Sequence, residues 1–379
     1  MRILLLCWRD TGHPEGGGSE RYLEHVAGAL AAAGHRVVYR TAAYPGAAAA
    51  ERRGGVAFSR AGGGYTVYPR AWAAMAAARL GHGPLARALG GRPEVVLDTQ
   101  NGIPFLARIF AGAPTVLLVH HCHREQWPVA GRLTGRLGWF IESRLSPQVH
   151  RGCRYITVSE PSAADLRALG VRGSDIEVIR NGVDPVPAGA AAAAAPADPG
   201  PRLVTLSRLV PHKQIEHAID AVAALAPRWP GLRLDVIGDG WWADRLRGHA
   251  RALGVADRVV FHGQVTEERK HALLAAARVH LMPSRKEGWG LAVIEAAQHA
   301  VPTVGYRSSA GLRDSVVDGA TGLLAGTPAE LVAAVGRLLA DPGLRDRLGA
   351  AARRRAGRFS WPATTAAVER VLVAAARRR

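Results

Sequence analysis

At 379 residues, with 48% apolar and 21% charged residues, the chain is too long for one ordinary core and too apolar for disorder, so two domains are expected. Its formal net charge of +18 divides into about +8 before residue 186 and about +10 after it, without a recognition-helix, zinc-finger or RNA-binding signature. Nucleic acid is therefore not expected as a partner, and anionic small molecules or an anionic membrane surface suit the field better.

The opening MRILLLCWRD is too short an apolar run for a signal peptide and reads as a buried strand, Ile3 to Cys7. A glycine loop (Gly16-Gly17-Gly18) follows, then a helix pattern from Ser19 to about Ala33, Gly34 as its cap, and a strand at Arg36 to Arg40. Further strands are expected at 94–98, 115–119, 154–158 and 176–179, with a helix at 160–169. Continuous apolar strands alternating with helices imply a parallel sheet covered on both faces. The stretch PVPAGAAAAAAPADPGP, from Pro185 to Pro201, has no periodicity and reads as the linker, 186–201. A second series then runs strand 202–206, helix 213–226, strand 232–237, helix 242–253, strand 258–261, helix 266–277, strand 279–282, helix 290–299 and strand 302–305. Helices at 328–340 and 343–356 follow, and a last one begins near Pro362 after Phe359-Ser360-Trp361. The expected domains are thus 1–185, a linker at 186–201, 202–360, and a final helix at 361–379. Cys7, Cys122 and Cys153 are odd in number and lack CxxC spacing, which suits a reduced, cytoplasmic setting. No segment approaches the roughly 20 apolar residues of a membrane span.

Four constellations carry chemistry. In PSRKEGWGLAVIEAA, Gly288 and Gly290 precede a helix starting at Leu291, whose first N–H groups suit a diphosphate. Glu295, one turn in, can accept from a ribose diol, and Glu287 from a sugar hydroxyl; an unpaired carboxylate in so apolar a helix would be costly. In LSRLVPHKQIEHAIDAV, Arg208 and Lys213 follow a strand at the carboxyl edge, where doubly wound sheets bind ligands. They could neutralise a leaving diphosphate without metal, and Lys213 is one of only three lysines, with Lys270 and Lys286. The GGGSER loop is compatible with phosphate or with a simple tight turn. His120, His121 and His123 end a strand; no accompanying carboxylate or cysteine set makes them a metal site, so a substrate hydrogen bond is the favoured role and no metal is expected. A rival reading comes from Gly238-x-Gly240-x-x-Ala243 with Asp257 downstream, a dinucleotide fingerprint on paper that would make the protein an NAD-dependent oxidoreductase. That reading leaves Arg208, Lys213, Glu287 and Glu295 without work.

At these residues the chain resembles family 4 of the retaining glycosyltransferases. The resemblance runs through GGSER with LAAAGHRV, IRNGVD, SRLVPHK, EGWGLAVIE, VVDGATGLLA and FSW. It implies a GT-B fold, two Rossmann-like doubly wound α/β domains facing each other across a cleft, the first binding an acceptor and the second a nucleotide-sugar. By position, Arg208 and Lys213 would hold the donor diphosphate, Glu295 its ribose and Glu287 its sugar. Gly17 and Gly18 would offer backbone to phosphate, His120 would contact the sugar near the reacting carbon, and His121 could share that role. Asn181, Gly238, Val265, Gly288, Gly290 and Leu291 complete the expected donor-binding set. The resemblance implies retention by same-face attack, a hexose-type sugar, a hydroxyl acceptor (glycan, lipid or natural product), and no cofactor or metal. A sugar-nucleotide epimerase or a sugar-binding protein on the same scaffold is the further alternative. Arg124, Trp127, Arg132, Arg136, Trp139 and Arg144 form a basic, aromatic segment that reads either as peripheral contact with an inner membrane face or as a solvated helix with core tryptophans.

Overall fold

The structure is a computed structural model and describes residues 1–124, 127, 131–191 and 200–377. The chain divides into two compact units, Met1–Gly182 with Trp361–Arg379, and Val183–Ser360.

The first unit is an eight-stranded sheet in the order β3-β4-β2-β1-β5-β6-β7-β8. Its strands are β1 (Arg2–Leu6), β2 (Arg36–Thr41), β3 (Ala50–Arg53), β4 (Val56–Arg60), β5 (Val95–Thr99), β6 (Thr115–Val119), β7 (Arg154–Thr157) and β8 (Ile176–Val178). All pairings are parallel except the β3–β4 hairpin, whose two-residue turn places Gly54 and Gly55 at φ +56° and +80°, the left-handed pair that a tight hairpin favours. Strands β1, β5 and β6 have fully buried apolar cores, as a sheet covered on both faces requires. The covering helices are α1 (Gly18–Ala32), α2 (Val67–Arg79), α3 (Gly83–Leu89), α4 (Ala107–Phe110), α5 (Arg132–Phe140), α6 (Ser146–Val149) and α7 (Glu160–Ala168). Asp98, at the end of β5, is buried and accepts from the backbone N–H groups of Phe105 (2.9 Å) and Ala107 (3.0 Å), pinning the following loop.

The second unit is a six-stranded parallel sheet in the order β11-β10-β9-β12-β13-β14. It comprises β9 (Arg202–Leu206), α8 (Glu216–Leu225), β10 (Arg233–Ile237), α9 (Ala243–Ala252), β11 (Val259–Gly263), α10 (Glu267–Ala276), β12 (Val279–Met282), α11 (Leu291–Gln298), β13 (Thr303–Tyr306), α12 (Ala310–Ser315), β14 (Gly322–Ala325), α13 (Pro328–Ala340) and α14 (Pro342–Ala356). Renumbered within the unit this is 3-2-1-4-5-6, the doubly wound order. One core joins Leu203, Val222, Val236, Leu281 and Leu338. The linker expected at 186–201 is only partly covered, since 192–199 lie outside the described residues. Ala188–Ala191 form a 3₁₀ turn that belongs to the second unit.

The last helix, α15 (Trp361–Ala376), packs within the first unit. Trp361 stacks on His25 of α1 (centroids 4.1 Å, interplanar 10°), Thr364 Oγ1 donates to the Arg180 carbonyl, and His35 Nε2 lies 2.9 Å from Glu369 Oε1. Among the described residues no helix is long and apolar enough to cross a membrane.

Burial pulls several histidines far below their ordinary pKa: to about 4 for His120, His150 and His299, and to about 3 for His280. The folded chain keeps them neutral while the unfolded chain protonates them near 6.5, so unfolding takes up protons between pH 6.5 and about 4. Stability should fall as pH falls through that window. Asp98, raised to about 6 by burial that outweighs the lowering effect of its two backbone donors, acts in the opposite sense with one proton. The urea midpoint is therefore expected to be lower at pH 5 than at pH 7; an equal or higher midpoint at pH 5 would contradict these assignments.

Candidate active site

In the second unit, β9 and β12 are neighbours, but the chain leaves β9 towards β10 and leaves β12 towards β13. The loops at their carboxyl edges therefore diverge and open a crevice at the switch point. The loop after β9 carries Arg208 and Lys213; the loop after β12 carries Glu287, Gly288 and Gly290. Arg285 N–H donates to the His212 carbonyl at 2.9 Å and ties the two loops together. Lys213 does not start the helix, contrary to the expected 213–226. It ends a 3₁₀ turn, Pro211–Lys213, and Gln214 at φ +49° breaks the chain before α8 begins at Glu216. This places Lys213 Nζ 2.5 Å from Glu287 Oε1, with both side chains nearly buried.

The glycines of the dinucleotide-like GDG sequence have a packing explanation. Gly238 sits at φ +117°, and a Cβ there would lie 2.0 Å from the Ser207 carbonyl oxygen; at Gly240 it would lie 2.2 Å from that of Leu209. Ser207 N donates to Ile237 O, Leu209 N to Asp239 O, and Trp242 N to Leu209 O. The loop after β10 is thus laced against the loop that carries Arg208, which itself is exposed. Asp257 lies in a 3₁₀ turn before β11, where its backbone carbonyl accepts from Arg233.

Gly290, at φ +90°, caps α11, and Leu291 is the first helical residue. A Cβ on Gly311 would meet the Glu287 carbonyl at 2.3 Å, so the start of α12 packs directly against the glutamate loop. Trp289 is buried and meets Phe359 edge-on, centroids 4.8 Å apart. Glu295 accepts from Lys270 Nζ at 2.6 Å, and Lys270 also reaches Glu267 at 2.7 Å. Burial opposes the Lys270 charge, but Glu295 and Glu267 outweigh it and raise its pKa. Lys270 was not among the expected site residues. Its one sequence signal was rarity: of the three lysines, two end on the two glutamates of the Glu-x7-Glu motif. Val265 lies between β11 and α10, half-buried against the cluster of Val204, Ile237 and Ala296.

The remaining expected residues belong to the first unit. The Gly17 N–H donates to the Glu20 carboxylate at 2.9 Å, Ser19 Oγ donates to the same carboxylate, and Asn101, which the sequence reading missed, lies within reach of both Ser19 and Glu20. Gly18 is open, since a Cβ there would meet nothing within 4 Å. His120 follows β6 with its ring edge-on to Tyr22 (centroids 5.2 Å); its carbonyl accepts from Ser162 Oγ, and Nε2 is buried without a hydrogen-bond partner among the described residues. Its depressed pKa keeps the ring neutral at neutral pH. Asn181 is also buried, with Oδ1 unpartnered. The His121 ring packs on that of His123 (4.3 Å), and buried Glu142 accepts from the His123 N–H at 3.0 Å and from Trp127 Nε1 at 2.6 Å. Glu142 thereby turns Trp127 inward onto Gly138, so Trp127 is not an outward aromatic of the basic segment. The outward apolar side chains there are Leu133, Leu137 and Phe140 instead. Among the described residues, no group of three or more His, Cys, Asp or Glu is placed to hold a metal ion.

Two family models and several known proteins match the chain. The family described as "Glycosyltransferase Family 4" matches residues 16–187, and "Glycosyl transferases group 1" matches 192–355. A glycogen synthase of Mycobacterium tuberculosis is 31% identical over 407 aligned positions, covering 100% of this chain and 95% of the relative. The chain belongs to glycosyltransferase family 4. A GDP-mannose-dependent phosphatidylinositol monomannoside mannosyltransferase of Mycolicibacterium smegmatis is 32% identical over 255 residues, 64% of this chain and 65% of that one. In fold, the chain is similar to sucrose-phosphate synthase from Thermosynechococcus elongatus (TM-score 0.79, 23% identity, 97% of both chains). It is also similar to Anabaena HepE in complex with UDP and glucose (TM-score 0.73, 19% identity, 99% of this chain and 100% of that one). The protein is a glycosyltransferase of the GT-B type, and nothing favours the oxidoreductase or epimerase readings.

The loop lacing makes a checkable demand. Gly238→Ala should destabilise the protein by roughly 2 kcal/mol or more through combined strain and overlap with Ser207. An unchanged melting temperature would show that the loop after β9 does not depend on this contact.

Proposed function

We propose that the protein transfers a hexose from a nucleoside-diphosphate sugar to a hydroxyl acceptor with retention of anomeric configuration, by same-face attack and without a metal ion. The observation that supports it most is the convergence of Arg208, the Lys213–Glu287 pair and the Lys270–Glu295 pair around one switch point. Arg208 and Lys213 would hold the diphosphate, with the N-terminus of α11 as a further donor of N–H groups. Glu295, steadied by Lys270, would take the ribose diol, and Glu287 the hydroxyls of the sugar. As the glycosidic oxygen leaves, negative charge grows on the diphosphate and Lys213 is close enough to Glu287 to bridge sugar and phosphate. The diphosphate oxygen would accept the acceptor's proton, so no carboxylate nucleophile is required. His120, neutral at working pH, would offer a hydrogen bond to the sugar rather than a charge. Gly17, Gly18 and Asn181 are assigned to the same donor on the family resemblance, and Val265, Gly238 and Leu291 to its nucleotide end. The mannosyltransferase relative and the UDP-bearing HepE structure make GDP- and UDP-hexoses the first donors to try.

A melting-temperature screen of nucleoside-diphosphate hexoses should give one donor class that stabilises the protein, because a ligand binding only the native state raises its melting point. With that donor, Lys213→Ala should lower kcat by about 10²-fold or more. Chelator should leave turnover unchanged. Near-normal turnover in the lysine variant, or activity abolished by chelator and restored by Mg²⁺, would sink this mechanism.

Peripheral contact with an anionic membrane is part of the proposal. It rests on Leu133, Leu137 and Phe140, exposed at helical spacing beside Arg132 and Arg136. Leu137→Ser with Phe140→Ser should reduce flotation with anionic vesicles at low salt; equal flotation of variant and parent would remove this helix from any membrane contact.

A further inference from the structure

A cavity lies away from the residues assigned to the donor. It occupies ≈ 460 Å³ in the first unit, and its wall includes Arg144, Arg151, Arg172, Asp175, His150 and Tyr155. Arg151 precedes β7 and Arg172 precedes β8, so the cavity is at the amino edge of these parallel strands. His120 leaves the carboxyl edge of β6, which runs parallel to β7. The two sites are therefore at opposite ends of the same sheet.

The wall is strongly basic. Its carboxylate, Asp175, is engaged by Arg172 (Nε to Oδ2, 2.8 Å). Arg144 and Arg151 have no carboxylate partner among the described residues. A further cation stands beside them, since the Arg108 guanidinium donates to the Arg151 carbonyl and to Cys153 Sγ. Two of the residues lining it also carry a buried polar atom without a partner among the described residues, His150 Nε2 and Tyr155 Oη, in residues that are 0% and 3% exposed. Their chemistry is complementary. His150 Nδ1–H donates to the Ser146 carbonyl at 2.9 Å, which leaves Nε2 as a bare acceptor. Burial keeps that ring neutral at working pH and the Tyr155 phenol protonated. Both atoms are sealed from solvent, so a ligand in the cavity would reach them by parting the side chains over them, donating a hydroxyl to His150 and accepting from Tyr155 with an oxygen that the arginines also attract.

We propose that this cavity is a second ligand site, for a phosphate group carried on a hydroxylated molecule, either a soluble polyol phosphate or the headgroup of an anionic phospholipid. The class follows from a surplus of arginines, one free donor and one free acceptor in the same wall. Both sources are chemically open, because the helix carrying Arg144 continues directly from α5, whose Leu133, Leu137 and Phe140 are exposed.

The probes are glycerol 3-phosphate, by calorimetric titration, and phosphatidylglycerol vesicles against phosphatidylcholine vesicles, by flotation. They are applied to the full chain, to Arg208→Ala/Lys213→Ala, to Arg144→Ala/Arg151→Ala, and to Tyr155→Phe. The donor-site double variant controls for phosphate taken by the active site, and Tyr155→Phe keeps the packing of the ring while removing its donor. Glycerol 3-phosphate binding should persist in the donor-site variant and weaken at least tenfold in each of the other two. If only the vesicles bind, and that binding is lost in Arg144→Ala/Arg151→Ala and in Tyr155→Phe, the ligand is the lipid headgroup. The proposal is overturned if the folded parent binds neither probe, if binding disappears only in Arg208→Ala/Lys213→Ala, or if the arginine and tyrosine variants bind as the parent does.

Discussion

The second unit is organised by the reversal of strand order between the parallel neighbours β9 and β12, whose onward connections run to opposite sides. Adjacent parallel strands normally send their connections to the same side, and the gap between their exit loops closes. Here the two connections go opposite ways, and the loops part. What remains between them must be bridged by side chains. The bridge is the contact between Lys213 and Glu287, 74 positions apart in sequence and 2.5 Å apart in space. The close backbone packing elsewhere serves the same end. Gly238 and Gly240 let the β10 loop brace the β9 loop, and Gly311 lets α12 brace the β12 loop.

Pairs of this kind contribute little to net stability, because desolvating both charges offsets most of their attraction. Their value lies in orientation. Each glutamate of the motif is held by one lysine before any ligand arrives, and Lys270 is itself fixed by Glu267 at the start of α10. A carboxylate held in this way pays less to align with a diol or a sugar hydroxyl than one free to rotate. Removing either lysine would leave a nearly buried carboxylate without its counter-charge, which is why such a change should disturb the site more than a surface ion pair would.

The sequence disclosed the second unit more fully than the first, for reasons visible in particular residues. In the second unit the strands are short apolar runs punctuated by glycine and proline, and the polar residues that follow them are few enough to stand out. The first unit hides more. The β3–β4 hairpin is written AERRGGVAFSR, where arginines mask the alternation and only the Gly54-Gly55 pair signals the turn. Helix α2 contains Pro69 within its first turn and a run of alanines, so neither apolar periodicity nor a capping residue marks it. Lys270 could not be placed by pattern, because its partner Glu295 lies 25 residues on, across a strand. Trp127 and Trp139 share a segment with arginines, which fits an outward face as well as an inward one. For Trp127 the choice is made by Glu142, a buried carboxylate on a π-helical turn that spacing alone does not reveal.

Both units use the same doubly wound plan, yet they place opposite chemistry at the corresponding edge. In the first, the loop after β1 meets a carboxylate of its own: Glu20 takes the Gly17 N–H, and Asn101, at the end of the neighbouring β5, joins Ser19 beside it. His120 adds a ring that burial keeps uncharged. In the second, the corresponding loop after β9 presents Arg208 and Lys213. A diphosphate would be drawn to the cations of the second unit, so the difference in charge, rather than in fold, supports the proposed place of the leaving group there. The edge of the first unit, with one carboxylate, one amide and one neutral imidazole, offers mainly partners for hydroxyl groups. Hydroxyls are what both the transferred sugar and the acceptor present. A shared topology thus yields two unlike surfaces through a handful of substitutions at strand ends, which is where this fold allows side chains to change without disturbing its core.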